Sequence, residues 1–373
     1  MPNDTLKKSH FIPPIPKLTA AILLPLVLIG LFELLKGNSQ TMSAWVFGVM
    51  APLEQFLGRV WSVVPCSVGE LILFSFLIFC LVWLVRALVL LVRQADFIVF
   101  LRRLCALGAA FLWLWAGVCW LWNAAYYIPS FAQRAGLNTQ PYSVEKLASV
   151  TEWFAQNAAR LSVQVERDEE EHFAESTETC LERGVDIYDN LTSQFPCLAL
   201  ESTKAKPLLC SKFQSLLGFT GVYSPITGEA NVNVDAPACL LPATIAHEMS
   251  HQRMVALEDE ANFVGIAACV TCDDPLFQYS GYLMGLIHLC NALYSVSPDT
   301  WYAISERWFT PQLSQDWDDN NAFWAARDSS VEEAATQAYD AFLKGNDQEL
   351  GVRSYGACVD LLVNYFDSGL PQT

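Results

Sequence analysis

Hydrophobic and polar positions divide the chain into two textures. Up to about residue 128 the apolar residues come in long unbroken runs, Leu18–Leu35, Leu71–Val92 and Leu104–Ile128. The first carries no charge before Glu33, the second only Arg86, and the third none. Each approaches or exceeds the ~20 residues a helix needs to cross the apolar centre of a bilayer. The pattern therefore predicts three transmembrane helices at about 18–35, 71–92 and 104–126. Pro25, inside the first, is tolerated in a membrane helix. Between the first and second runs, Ser43–Val64 mixes apolar residues at helical spacing with Trp45 and Trp61, which predicts a helix lying at the membrane surface.

Beyond residue 128 the polar residues return. Leu147, Val150, Phe154, Ala158 and Leu161 recur every three or four positions and predict a helix over 141–161. A second helix is expected over 165–195. The acidic run Asp168–Glu171 sits at its start, where carboxylates suit the helix dipole. Gly218, Gly221 and Gly228 then punctuate FTGVYSP and EANVNVD, which read as two short strands joined by a turn. Helical spacing resumes over 276–294, 300–308, 332–343 and 354–366. The expected fold class is mainly α. Three N-terminal transmembrane helices form an anchor over residues 1–128, and an α-rich soluble domain with a small β-sheet follows over 129–373.

Charge sharpens the division. Residues 1–125 hold nine Lys/Arg against five Asp/Glu, whereas the remainder holds 13 against 34, within a total of −17. An acidic domain with no basic patch repels nucleic acid, so nucleic-acid binding is excluded. Lys7, Lys8 and Lys17 precede the first span, and Arg86, Arg93, Arg102 and Arg103 cluster between the second and third. The loop between the first and second has only Lys36 and Arg59. The positive-inside rule then puts the N-terminus in the cytoplasm and the C-terminal domain outside the cell membrane. Of twelve cysteines, eight lie in that domain, which permits disulfides without defining pairs.

Candidate chemistry is concentrated in Leu241–Gly265. His247-Glu248-Met249-Ser250-His251 places two imidazoles one turn apart on one helix face, where both can reach a single metal ion. Glu248 is then the candidate general base for a water molecule on that ion. Only five histidines occur in the chain, and Leu240, Leu241, Ile245 and Ala246 make this helix apolar and buried. A catalytic zinc, one per chain, wants a third protein ligand. On a single straight helix Glu258 would lie about 16 Å from His247 along the axis, too far to share it. The helix must therefore end near 253–255 and turn back, with a second helix starting at Glu258. Asn262, four residues on, shares its face and is placed to hydrogen-bond a ligand histidine. Glu260 points about 200° away on that helix and reads as a solvated or helix-start charge. Gly228, Glu229, Ala230, Asn231, Val232 and Asn233 form the candidate substrate-binding strand. Tyr282, Arg353, Tyr355 and His288 are the candidate oxyanion donors.

These residues carry a resemblance. Glu258-Asp-Glu-Ala261-Asn262 looks like the E-x-x-A-D/N element of gluzincin metallopeptidases, as in HtpX-type membrane proteases and ImmA/IrrE-type proteins. There the first Glu is the third zinc ligand, which implies Glu258; Asn262 stands where HtpX-type proteins usually have Asp. The chain more closely resembles a bacterial family of membrane-anchored, zinc-peptidase-like proteins with three N-terminal spans. PYSVEKL (141–147), TGEANVN (227–233), AHEMSHQR (246–253), EDEANF (258–263), YSGY (279–282) and SYGACVDLL (354–362) carry that resemblance. That family usually has Gly where Met254 stands, so a turn there puts Met at a position suited to Gly. The resemblance implies a zincin-like soluble domain and names no substrate. The expected function is a membrane-anchored zinc metallopeptidase acting on a peptide or protein substrate outside the bilayer. The alternative is a non-catalytic zinc-containing sensor or scaffold of the cell envelope. An intramembrane protease is excluded by the charges of Glu248, Arg253, Glu258, Asp259 and Glu260, which no lipid-exposed span would carry.

Overall fold

The computed structural model describes residues 15–137, 139–348 and 355–367. Three of its helices are long and apolar enough to cross a membrane: α1 Ile15–Leu35, α4 Val68–Gln94 and α5 Phe97–Leu121, the last continued by a 3-10 turn to Tyr127. Between α1 and α4 lie α2 Ser39–Trp45 and α3 Ala51–Trp61, joined by a π-helical turn, Val46–Met50, into one rod. Side chains that satisfy orphan N–H groups set several starts. Asn38 caps α2, Ser67 accepts from Glu70 N at α4, and Asp96 accepts from Val99 N at α5.

The remainder is helical around one small sheet. In chain order it contains α6 Phe131–Ala135, α7 Val144–Ser162, α8 Thr177–Arg183, α9 Asp189–Gln194 and α10 Ser211–Leu216. There follow α11 Leu241–His251, α12 Glu258–Thr271, α13 Pro275–Val296 and α14 Pro298–Trp308. The last three are α15 Pro311–Ala325, α16 Ser330–Gly345 and α17 Tyr355–Asp367. The strands β1 Lys206–Pro207, β2 Gly221–Ser224 and β3 Glu229–Val232 lie in the order β1-β3-β2. β3 pairs antiparallel with β2 and parallel with β1. The main core gathers α7, α11, α12, α13 and α17 around Phe154, Ile245, Phe263, Phe277 and Leu286, all fully buried.

Two expectations fail here for physical reasons. The acidic run Asp168–Glu171 does not start a helix. Asp168 Oδ1 accepts from the backbone of Glu170 and His172, Glu171 turns left-handed at φ 67°, and Arg167 bridges Phe173. A short carboxylate that bonds its own backbone competes with helix formation, and helix returns only at α8. The helix α15 had no apolar pattern to announce it, because its buried face is built on Asp316 and Asn320 beside Leu313. Asp316 receives two bonds from Arg167 and one from the Tyr279 hydroxyl.

Residue 128 divides the sequence but not the packing. A second core holds Phe32, Met42, Val46, Met50 and Ala51 together with Ala124–Tyr126, Met254, Ala256 and Leu343. Glu229, 1% exposed, accepts from Val68 N and Gly69 N at the first turn of α4 and pairs with Lys206 Nζ at 2.5 Å. Glu70 reciprocates by accepting from Leu209 N and Cys210 N. Glu54 accepts from the Tyr223 hydroxyl at 2.6 Å, and burial outweighs that bond to hold its carboxyl well above the usual range. A carboxyl raised in the fold contributes stability that is present below its unfolded pKa and is lost as pH rises toward the folded value. Wild type should therefore lose unfolding temperature relative to Glu54→Gln, whose amide oxygen still accepts from Tyr223, as pH rises above the ordinary carboxyl range. Parallel slopes in thermal melts would contradict this.

Candidate metal centre

The centre is built on the α11–α12 corner. α11 ends in a turn in which Met254 N bonds His251 O at 3.0 Å and Val255 N bonds Ser250 O at 3.3 Å. That is the paired bonding of a Schellman stop, with the left-handed residue at Met254, φ 58°. The sequence argument placed the reversal here, and the structure agrees. Arg134 fixes the turn by donating to Met254 O, while Arg253 stacks on the Tyr188 ring at 3.7 Å. Met254 tolerates the conformation because its side chain is a buried plug in the second core. Met254→Gly should relieve about 1–2 kcal/mol of backbone strain yet lose about 2–5 kcal/mol of packing. A net loss of about 1–3 kcal/mol is expected in thermal or chemical unfolding; a stabilised variant would show that strain dominates. At Gly265 a Cβ would sit 2.8 Å from His247 N, so only glycine lets α12 lie this close against α11.

The corner brings His247, His251 and Glu258 together with one ligand atom of each within 4.8 Å of the others, the metal-type group found among the described residues. His247 Nε2 lies 3.3 Å from Glu258 Oε2, and His251 Nε2 lies 4.0 Å from Glu258 Oε1. Tetrahedral zinc, with bonds of about 2.0–2.2 Å, holds its ligand atoms roughly 3.4 Å apart, so this donor set fits zinc. His251 Nδ1 sits 2.7 Å from Val255 O, which assigns its proton there and leaves Nε2 to face the centre. Asn262, on the same face of α12 as Glu258, is a polar neighbour of His247. Burial lowers the His251 pKa to about 4. Burial opposes ionisation of Glu258, but the bond from His247 and the charges of both histidines bring it down to about 2. This neutral imidazole and ionised carboxylate are the forms that bind a cation, whereas His247, its pKa raised against burial by Glu258 and the charge of Glu248, must give up a proton to bind.

Glu248 is 3% exposed, and its Oε2 has no hydrogen-bond partner; burial raises its pKa to about 8. It abuts Gly221, the first residue of β2, where any Cβ would collide with the carboxylate. Three aromatic residues that sequence reasoning missed enclose the centre. The Tyr339 hydroxyl, from α16, donates to Glu258 Oε1. The Trp122 ring, at the end of the third apolar segment, stands edge-on to His251 with centroids 5.4 Å apart. Tyr126 lies beside Glu258; its buried hydroxyl has Trp122 as polar neighbour but makes no hydrogen bond of normal geometry. These side chains are contributed from 81 to 132 residues away from the residues they serve, so no local spacing signals them.

Other expected roles are corrected. Gly228–Asn233 cannot be a substrate-binding edge, because β3 is the central strand and its residues are fully buried. Gly228 packs on the backbone of Glu54 and gives its carbonyl to Gln252. The edges of the sheet are β2 and the two-residue β1. Glu260 stands in the first turn of α12, as a helix-start charge, but it is not solvated; it is 4% exposed, accepts from Phe131 N and Ala132 N, and so holds the start of α6. Tyr282 packs between Trp153 and Phe154 in the main core, remote from the centre as a donor. His288 is a charge neighbour of His247 on α13. Arg353 and the Tyr355 side chain lie outside the described residues. All twelve cysteines are free thiols, and Cys272 Sγ contacts the Cys269 and Asp274 carbonyls.

Fold and site together define a mainly helical protein with three potential membrane-spanning helices and a His-His-Glu cluster at a helix corner. The family model described as "Protein of unknown function (DUF3810)" matches residues 46–363, and the chain belongs to that family. The matched stretch takes in most of the α2–α3 rod, α4, α5 and the whole His-His-Glu cluster, so two of the three long apolar helices and the cluster fall within one family unit. No curated protein and no solved structure matches the chain.

Proposed function

We propose that the protein is a membrane-anchored zinc metallopeptidase whose active domain stands outside the cytoplasmic membrane. The observation that carries this reading is the buried, unpaired Glu248 carboxylate set beside three converging ligands, yet not itself one of them. His247, His251 and Glu258 would hold the zinc, which when bound supplies Lewis acidity toward a carbonyl oxygen and a water molecule. Glu248 takes a proton from the attacking water and passes it to the leaving amine. The α11–α12 corner fixes the ligands, Val255 O fixes the His251 imidazole, and Asn262 would serve His247 from the neighbouring turn. Trp122 and Tyr339 limit water around the histidines. β2, with its outer edge unpaired in the sheet and its first residue against Glu248, is placed to take an extended peptide as a further strand.

The reading is tested by profiling proteolysis by the purified full-length chain against Glu248→Gln, with zinc measured in both. Cleavages common to both, or a folded wild type free of zinc, would remove the enzyme reading. A sensor or scaffold using the same zinc would keep the metal and show no difference between the two. The positive-inside pattern supports the orientation. A reporter enzyme fused after Thr373 should therefore be active outside the cytoplasm, and cytoplasmic activity would reverse the topology.

A further inference from the structure

We infer that the α2–α3 rod, Ser39–Trp61, lies in the lipid surface and carries the metal centre on its back. The chain itself forces the rod down. It is 23 residues long, about 34 Å as a helix. Three residues join it to the end of α1, and six join it to the start of α4. Six residues, fully extended, reach only about 24 Å. With α1 and α4 crossing as consecutive antiparallel spans, an upright rod could not return to α4, so the rod must tilt toward the membrane plane.

Unlike a surface helix of a water-soluble protein, the rod is apolar on both its inward and its outward face. The face turned inward holds Met42, Val46, Met50 and Ala51, and it also holds Glu54 and Gly58 against Tyr223 and Gly228. The face turned outward exposes Phe47, Val49, Leu53, Phe56 and Val60. The one charged residue on that outer face, Arg59, is paired with Glu201 at 3.0 Å. Such a face is lipid-compatible, and it is continuous with the spans. Val63 is 85% exposed beyond the rod, and Leu71, Ile72 and Leu73 continue the exposed apolar surface along the first turns of α4. The occupant is therefore the bilayer leaflet into which α1 and α4 run, on the side of the metal-bearing domain. Because the inward face touches Tyr223, whose ring packs on His251 and Trp122, the centre stands little more than one helix diameter, about 10 Å, above the lipid. This seating goes beyond the peptidase reading and does not depend on it.

The test uses the full-length protein in phosphatidylcholine–phosphatidylglycerol nanodiscs containing a phospholipid with a photoactivatable diazirine on its acyl chain. Labelled residues are mapped by mass spectrometry. Phe47, Leu53, Phe56 and Val60 should label as strongly as Leu23 and Leu77 on the spans. They should exceed Tyr302 and Val331, equally exposed apolar residues on α14 and α16, by about tenfold or more. Labelling of the rod at the level of Tyr302 overturns the inference. So does a cross-link from a photoreactive residue at position 56 to a second copy of the chain, which would assign the face to a dimer.

Discussion

Glu248→Gln is expected to lower peptide hydrolysis by about 10²–10⁴-fold, the usual contribution of a general acid–base group, while zinc content and unfolding temperature stay near wild type. The geometry explains both halves. Glu248 projects from the middle of α11 between the two histidines, yet its carboxylate lies outside the His247–His251–Glu258 group and meets β2 at Gly221. Its Oε2 makes no bond that holds the fold. Gln keeps the volume and one acceptor oxygen, so packing against Gly221 survives, but an amide cannot take and return a proton. The measurement pairs cleavage rate with bound metal. Loss of activity with metal retained separates a proton-transfer role from a ligand role. Loss of both would make Glu248 a ligand, and loss of neither would leave the buried carboxylate without a chemical task.

How much of this was legible before the structure depends on distance along the chain. The corner could be derived, because the 16 Å separation along a straight helix leaves a reversal as the only way to unite His247 with Glu258. Met254 at φ 58° is that reversal, and Asn262 follows from the same helical register. The sheet was half legible. Alternation in EANVNVD marked a strand, but whether β3 is an edge depends on β1, a two-residue strand some 25 residues upstream with no pattern to announce it. Periodicity reports that a segment is extended and buried; neighbour order is a tertiary fact. The same limit hid Tyr339 and Trp122, whose residue types are ordinary for helix and membrane boundary. It also hid the role of the segment around the α2–α3 rod and the start of α4, where buried carboxylates on Glu54, Glu70 and Glu229 bond across the line at residue 128. In an apolar segment those acids read as exceptions, but each answers backbone or side-chain donors that would otherwise be buried unpaired.

The second large effect is expected from the two neighbouring glutamates, which the structure gives opposite tasks. Glu258→Ala should weaken zinc binding by well over the roughly 100-fold that loss of an outer hydrogen-bond partner can cost a metal site. It removes one of three converging ligands, and it also removes the acceptor for the Tyr339 hydroxyl. In the metal-free state the fold also loses the bonds from His247 and Tyr339, so some destabilisation is expected beside the loss of zinc. Glu260→Ala should destabilise the fold and leave zinc binding intact. Its carboxylate accepts two backbone N–H bonds at the start of α6 from a site 4% exposed. Bonds to a charged group contribute about 1.5–3 kcal/mol each, so a loss of about 3 kcal/mol or more in unfolding free energy is expected, with zinc still bound by the folded fraction. Zinc titration monitored beside thermal unfolding distinguishes the pair in one experiment. If Glu260→Ala empties the site while Glu258→Ala fills it, the ligand assignment is wrong. If both merely unfold, conservative Glu258→Gln decides, because an amide preserves the bond from Tyr339 but is a poor zinc ligand beside two neutral imidazoles.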